Sequence, residues 1–477
     1  MKKLFLGAAA LMCGAVMFAQ NNESNVDQSG TSHGAVVSQE GNNNLSDIKQ
    51  RDGDGNGEGH EEGGMIGFYA DVYQFGSENE SYIDQKGKTG SAEVNQTGLR
   101  QFSDIFQRGN GGVIFVDQMG EDNQSYIAQR GRENFAQVAQ SGLFQYSEIA
   151  QEGRENSVDV DQSGASNESF INQQGNENGA AVLQTGNSDF SNIDQDGSGN
   201  WASASQSGAL NMSYITQNGN GNGAAVTQTG NSDLSIVDQE GSGNMASATQ
   251  GGAFNGSEIN QNGEGNGAEV TQSGLTNGSL INQSGSGNMA SATQSGTLNG
   301  SLINQEGSGN MASATQSGTL NGSNINQNGN ENEAEVLQTG MTDFSSVNQE
   351  GSGNMASATQ GGAFNGSEIN QNGEGNGAAV TQSGLTNGSL INQNGNENGA
   401  EVLQSKMGNI SDINQSGTGN WASATQSGSG FLGGSNYSEI TQNGNGNGAA
   451  VLQTGNFDFS SVLQVGSGNW ASVTQGL

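Results

Sequence analysis

The chain has 477 residues, 80 of them Gly and none Pro, an apolar fraction of 30%, and a formal charge of −36 from 12 basic and 48 acidic residues. That acidic excess repels phosphate backbones and anionic lipid, which excludes a nucleic-acid or polybasic membrane role. One Cys and two His leave little for a metal or nucleophilic centre, and so thin an apolar content means disorder unless the sequence is periodic.

Residues 1–19, MKKLFLGAAALMCGAVMFA, read as a secretory signal peptide: Lys2 and Lys3 precede an apolar run from Leu4 to Ala19, and polar QNNESN follows at once. The run is too short for a membrane span. Cleavage after Ala19 removes Cys13, the only Cys, and no other segment is apolar enough to cross a bilayer. The mature chain is therefore expected to be secreted, extracellular or attached to the cell surface. Residues 20–50 carry the first repeats, marked by Gln28, Gln39 and Gln50 at eleven-residue spacing. An acidic, Gly-rich insertion, residues 51–73, comes next. Its Asp52, Asp54, Asn56 and Gly57 follow the opening of a calcium loop, but Gly63 stands where the closing Glu belongs, Glu62 is one residue early, and Gly59 lacks the usual apolar side chain. It reads as an acidic surface loop.

From Gln74 to Gln426 a Gln recurs every eleven residues without a slip. Residues 74–477 form the main array, with a short loop near 427–436 that stretches the step from Gln426 to Gln442 to sixteen residues. Counting back from each Gln, Asn usually stands six before, Ala or Ser four before, and Ile, Val or Ala two before; Gly follows two after. Even offsets share one face of a strand, and Gly with small polar residues makes the turn. Successive units alternate, Ser301 with Ala312 and Ile303 with Ala314, so the true repeat is a 22-residue strand-turn-strand-turn coil. Such a repeat predicts an all-β fold, a β-solenoid with two facing parallel sheets. At ~4.8 Å per coil, about twenty coils make a rod ~95 Å long. Ile281, Ala292, Ile303, Ala314 and Ile325 are the expected core stack. Asn288, Gln294, Asn299, Gln305, Asn310, Gln316, Asn321 and Gln327 are the expected self-assembly ladder, since an amide stacked on its own copy bonds along the axis. Asp189, Asp233 and Asp343 replace the Asn in three units. An ionised Asp cannot donate, so those rungs are expected to be weaker.

The stretch NGSLINQEGSGNMASATQ, residues 299–316, resembles position by position the motif S/N-x5-Q-x-G-x-G-N-x-A-x3-Q of the curlin-repeat family, the subunits of bacterial curli-type amyloid fibres. The same pattern runs from Asn277 to Gln294. The resemblance implies a secreted subunit that polymerises with copies of itself into cross-β fibres of a biofilm matrix and supports adhesion. It also implies a curli-type outer-membrane secretion pore and a nucleating relative as partners. The chain departs from the family's major subunits in its far greater number of repeats and in opening its strands with Asn rather than Ser.

No convergent catalytic site is expected, and no cofactor or metal: His33 and His60 are the only His, and most carboxylates lie at odd offsets or in turns, facing outward. Outward Ser and Thr pairs such as Ser291 and Thr293 are interrupted by units like Glu269 with Thr271, so they do not make the flat array an ice-binding face needs. Trp201, Trp421 and Trp470 fall on the outer face as single exposed aromatics. At the C-terminus, Asn469, Ala471, Val473 and Gln475 continue the motif with no atypical capping repeat after them. That strand is expected to be a polymerisation edge, templating the N-terminal coil of another copy. The competing reading is a monomeric solenoid stalk or adhesin, which the length and the mutual repulsion of acidic rods favour.

Overall fold

An offset of two places Ser301, Ile303 and Gln305 on the buried face of the strand Gly300–Ser308, and Leu302 and Asn304 on its outer face. The same alternation recurs along the rod, and the described residues form 38 strands and no helix. The computed structural model describes residues 21–52, 67–428 and 435–476. From Gln124 onward each strand pairs in parallel with the strand two further on, at a register of one full coil: Ile303 faces Ile325, Gln305 faces Gln327, and in the other sheet Ala292 faces Ala314. The result is a β-solenoid of about twenty coils with two facing parallel sheets.

A thin core runs along the axis. Ile281, Ile303 and Ile325 from one sheet and Ala292 and Ala314 from the other are all 0% exposed. Large side chains facing small ones keep the two sheets close and the interior dry. The turns are as regular as the strands. Gly307, two after its Gln, has φ 114°, and a Cβ there would collide with the carbonyl oxygen of Gly329 in the next coil. Stacking at one coil rise therefore favours Gly at this position, although Lys406 occupies it in one coil.

The insertion is narrower than residues 51–73. Arg51 and Asp52 finish the strand Leu45–Asp52, and the strand Gly67–Ser77 pairs in register with Gly34–Asn42, aligning Gln74 with Gln39. Phe68, buried six residues before Gln74, takes the place of the usual Asn. Its backbone N–H donates to His33 Nδ1 at 3.2 Å and its ring stacks on the imidazole, so His33 has a structural place at this junction. The stretch read as a signal peptide, the calcium-like residues from Asp54 to Gly63, His60 and residues 429–434 of the short loop lie outside the described residues. The excess at that loop leaves the stacking intact, because Gln415 still bonds Gln442 at 2.9 Å and Gln426 bonds Gln453 at 2.8 Å. No helix among the described residues is long and apolar enough to cross a membrane.

Candidate functional site

The Gln clock becomes a continuous hydrogen-bonded column. Nε2 of Gln283, Gln294 and Gln305 donates to Oε1 of Gln305, Gln316 and Gln327, each at 2.8 Å. The second amide hydrogen crosses to the opposite sheet, from Gln305 to the carbonyl of Met289 at 3.0 Å and from Gln294 to that of Gly278 at 2.8 Å. Gln305 and Gln294 thus each meet their own copy one coil on and the backbone of the other strand. The same amide bonds along the axis and ties the two sheets together.

Several Asn positions, such as Asn288, Asn299 and Asn310, also stack amide on amide, and they add backbone bonds of their own. Asn288 Oδ1 accepts the backbone N–H of Asn310 at 3.0 Å and its Nδ2 at 3.1 Å. Asn288 Nδ2 donates to the carbonyls of Ser284 and Gly307, both at 3.0 Å. Asn321 likewise donates to Ser317 and Gly340, at 2.9 and 3.0 Å, while its N–H reaches Asn299 Oδ1 at 3.1 Å. One methylene shorter than Gln, Asn reaches nearby carbonyls and so clamps the turn to its neighbours. Its bonds to its own copy run toward the N-terminus, opposite to those of Gln, while its bond to the turn carbonyl of the next coil runs toward the C-terminus.

The three Asp rungs keep only half of this role. Asp189, Asp233 and Asp343 are at most 1% exposed. Their Oδ1 atoms accept the N–H of Asn211, Asn255 and Asn365 at 2.8–2.9 Å. Their Oδ2 atoms are buried without a partner. Burial pushes all three carboxyls above the usual range, against the smaller lowering effect of the bonds from the following Asn.

Two outer features were not foreseen. Tyr82, Phe102, Tyr126, Tyr146, Phe170, Phe190 and Tyr214 form an unbroken zigzag, with neighbouring ring centroids 5.2–5.8 Å apart and planes tilted by 37–42°. The rings alternate between three and five residues before the Gln, a signal visible only when strands 22 residues apart are compared. Burial and the bond from its hydroxyl to Glu148 push the Tyr146 phenol up to about 12. Further along the same sheet, Asn260 to Asn414 make an outer amide column with seven successive bonds of 2.7–2.9 Å. Of the three expected outer Trp, Trp421 and Trp470 stack across Gly448 with centroids 6.4 Å apart, and Trp201 stands 51% exposed.

Among the described residues the strand Trp470–Gln475 pairs with Gly448–Gln453 alone. Ala471 and Val473 pack partly buried against the core, in register with the buried Ala449 and Val451, and Asn469 donates to Asn447 Oδ1 at 2.9 Å. Gln475 accepts from Gln453 at 2.9 Å and donates to the carbonyl of Phe459 at 2.8 Å. Nine stretches match the model of the curlin associated repeat: residues 19–51, 69–98, 114–142, 153–186, 186–219, 219–252, 263–296, 285–318 and 321–362. Together they span more than half of the chain. The chain belongs to the curlin-repeat family. In these curlin repeats the motif's Gln and Asn are the column and clamp residues described above. No curated protein matches the sequence. Repeat family and solenoid together point to a structural protein of the curli type. Among the described residues no group of three or more His, Cys, Asp or Glu is placed to hold a metal ion.

Proposed function

We propose that the chain is a secreted subunit that stacks head to tail with copies of itself into curli-like amyloid fibres of a biofilm matrix, and that these fibres support adhesion. The observation that carries this reading is the direction of the Gln columns. Each Gln donates toward the C-terminus, as Gln28 does to Gln50 at 2.6 Å and Gln442 to Gln464 at 2.8 Å. Among the described residues at the far end, Gln464 and Gln475 each use one amide hydrogen on a backbone carbonyl and meet no Gln acceptor for the other. At the near end, among the described residues, nothing donates to Oε1 of Gln28 or Gln39. A second rod one coil rise beyond the first supplies the missing partners, Gln464 to its Gln28 and Gln475 to its Gln39. Asn469, Ala471, Val473 and Gln475 then form the polymerisation edge, and the half-covered Ala471 and Val473 are buried as they would be within the rod. Likeness to the family adds export through a curli-type outer-membrane pore and seeding by a nucleating relative.

Deleting residues 465–477 tests this. Seeded elongation, followed by electron microscopy and by fibre diffraction at the ~4.8 Å strand spacing, is expected to stop in the deleted protein. Unchanged growth from seeds and from monomer refutes the edge. The formal charge of −36 favours a second reading, a monomeric stalk or adhesin. Rods ~95 Å long that stay dispersed across salt concentrations would establish that one instead.

A further inference from the structure

The two rows of turns that edge the rod are chemically unlike. One edge, after the strands of the Ile-bearing sheet, carries carboxylates such as Glu240, Glu306 and Glu350. The other carries one large apolar side chain in each of seven successive turns from Phe254 to Leu385. Phe254, Leu275, Leu298, Leu320, Phe364 and Leu385 are 43–61% exposed.

Four of these residues also sit in the left-handed region: Phe254 at φ 56°, Leu298 at 58°, Leu320 at 59° and Phe364 at 57°. A side chain with a bulky Cβ substituent occupies that region only under constraint. Stacking supplies the constraint, since the N–H of Leu298 bonds the carbonyl of Leu275 in the preceding coil at 3.0 Å. The opposite edge solves the same turn with Gly, as at Gly243 and Gly309 with φ 65° and 66° and the same bond to the preceding coil. The fold thus needs the backbone shape at this position but not the Phe or Leu. An exposed apolar row placed on an unfavourable backbone points to a surface that meets something.

We infer that this edge is a lateral interface through which two copies of the chain pair side by side. Charge selects the partner. Residues 155–477 hold 27 acidic residues against one basic residue, Lys406. Both sheet faces and the opposite edge display carboxylates, including Glu258, Glu269 and Glu306. Along the apolar edge from Ser141 to Asn387 the only charged residues are Asp189, Asp233 and Asp343, all buried. It is the long strip of the described rod on which two copies approach without opposing carboxylates. Both copies have the same coil rise, so a two-fold axis across the rods sets turn against turn over the whole row. An anionic lipid surface would need the basic residues this region lacks. The pairing adds to head-to-tail stacking and does not depend on it.

The test is the fourfold variant Phe254→Ser, Leu298→Ser, Leu320→Ser and Phe364→Ser. Ser166, Ser188 and Ser232 already occupy the same left-handed position on this edge, at φ 56–58°, so the turn is kept. Mass per length of filaments, measured by scanning transmission electron microscopy, is expected to be twice the single-rod value in the unmodified protein and to halve in the variant. Glu306→Ser with Glu350→Ser, on the opposite edge, should leave it doubled. A single-rod value in the unmodified protein, or a doubled value in the fourfold variant, overturns the inference. If no filaments form, head-to-tail assembly fails separately, and sedimentation of dispersed rods decides the pairing: dimers reduced to monomers support it, monomers in both proteins overturn it. Monomeric rods that co-sediment with phosphatidylcholine vesicles also overturn it, in favour of lipid. Should the fourfold variant not fold, Leu320→Glu alone, in the middle turn of the seven, sets two carboxylates against each other across the two-fold axis and is read in the same way.

Discussion

Replacing Asp233 by Asn should stabilise the coils around it. The carboxylate keeps one good acceptor, since Oδ1 takes the N–H of Asn255 at 2.8 Å and its Nδ2 at 3.1 Å. Oδ2 is buried with nothing to accept from. In the ordinary rung one coil before, Asn211 uses the equivalent atom to donate to the carbonyls of Ser207 and Gly230, both at 3.1 Å. Asn at 233 retains the acceptor and supplies that donor. An unmet buried polar group costs ~1–3 kcal/mol and each neutral bond restored contributes ~0.5–1.5 kcal/mol, so a net gain of ~2 kcal/mol is expected. That corresponds to ~30-fold slower local opening. Because a repeat array opens coil by coil, the assay is hydrogen exchange of the Asn255 amide, corrected for intrinsic rates. Burial, the dominant influence, raises the folded-state carboxyl above its unfolded value. Between those two values the folded state holds a proton that the unfolded chain has released. Stability therefore falls as pH rises through that window and returns as pH falls, with no further change below the unfolded value. Asn255 protection in the unmodified protein should increase from neutral pH toward about pH 4, and in Asp233→Asn it should lose that dependence. Faster exchange in the variant at neutral pH, or flat protection in the unmodified protein, would refute the claim that the carboxylate is the defect.

Gln305→Ala should cost about 1–3 kcal/mol, because it leaves Gln283 Nε2 and Gln327 Oε1 unmet in a dry column; urea unfolding of the variant checks it. Ile303→Ala should cost ~2–5 kcal/mol by opening a cavity in the core stack, measured in the same way. Ser125→Ala should be neutral or slightly stabilising, because the buried Ser125 hydroxyl has no partner to lose. Fibre growth should speed up with salt, since charges on neighbouring rods are screened within ~10 Å at 0.1 M; thioflavin kinetics unaffected by salt would count against electrostatic control.

Gln305 and Ile303 were legible because a strict period fixes both the face of the strand and the partner one coil on. What Asn310 does was less legible, since its donors end on carbonyls four residues before and nineteen after, and no side-chain pattern marks a backbone acceptor. Phe68 was read as insertion because the Gly-rich residues before it shift the phase and an aromatic stands where the motif has Asn. The zigzag from Tyr82 to Tyr214 was hidden for a different reason. Its members are never neighbours in one strand, and their offsets alternate between coils. Leu298 and Phe364 sit among Gly, Ser and Thr, where a large apolar residue looks like turn filler until the left-handed backbone and the shared edge are seen together.

The same comparison explains why the repeat is 22 residues and not eleven. With identical eleven-residue units, Ile would meet Ile across the core and the two edges would be alike. Alternating Ile303 with Ala314 keeps the sheets close, and it also makes each coil's two turns separate positions that can differ in chemistry. One edge then takes Gly and Glu, the other Phe and Leu. A rod with two equivalent sticky edges would recruit copies on both sides and grow into open sheets, whereas one apolar edge closes when two rods meet across a two-fold axis. The carboxylates left on the outside of such a pair repel further neighbours until they are screened. In the proposed assembly lateral growth then stops at the pair, while the Gln donors and acceptors left unmet among the described residues keep the proposed axial growth open.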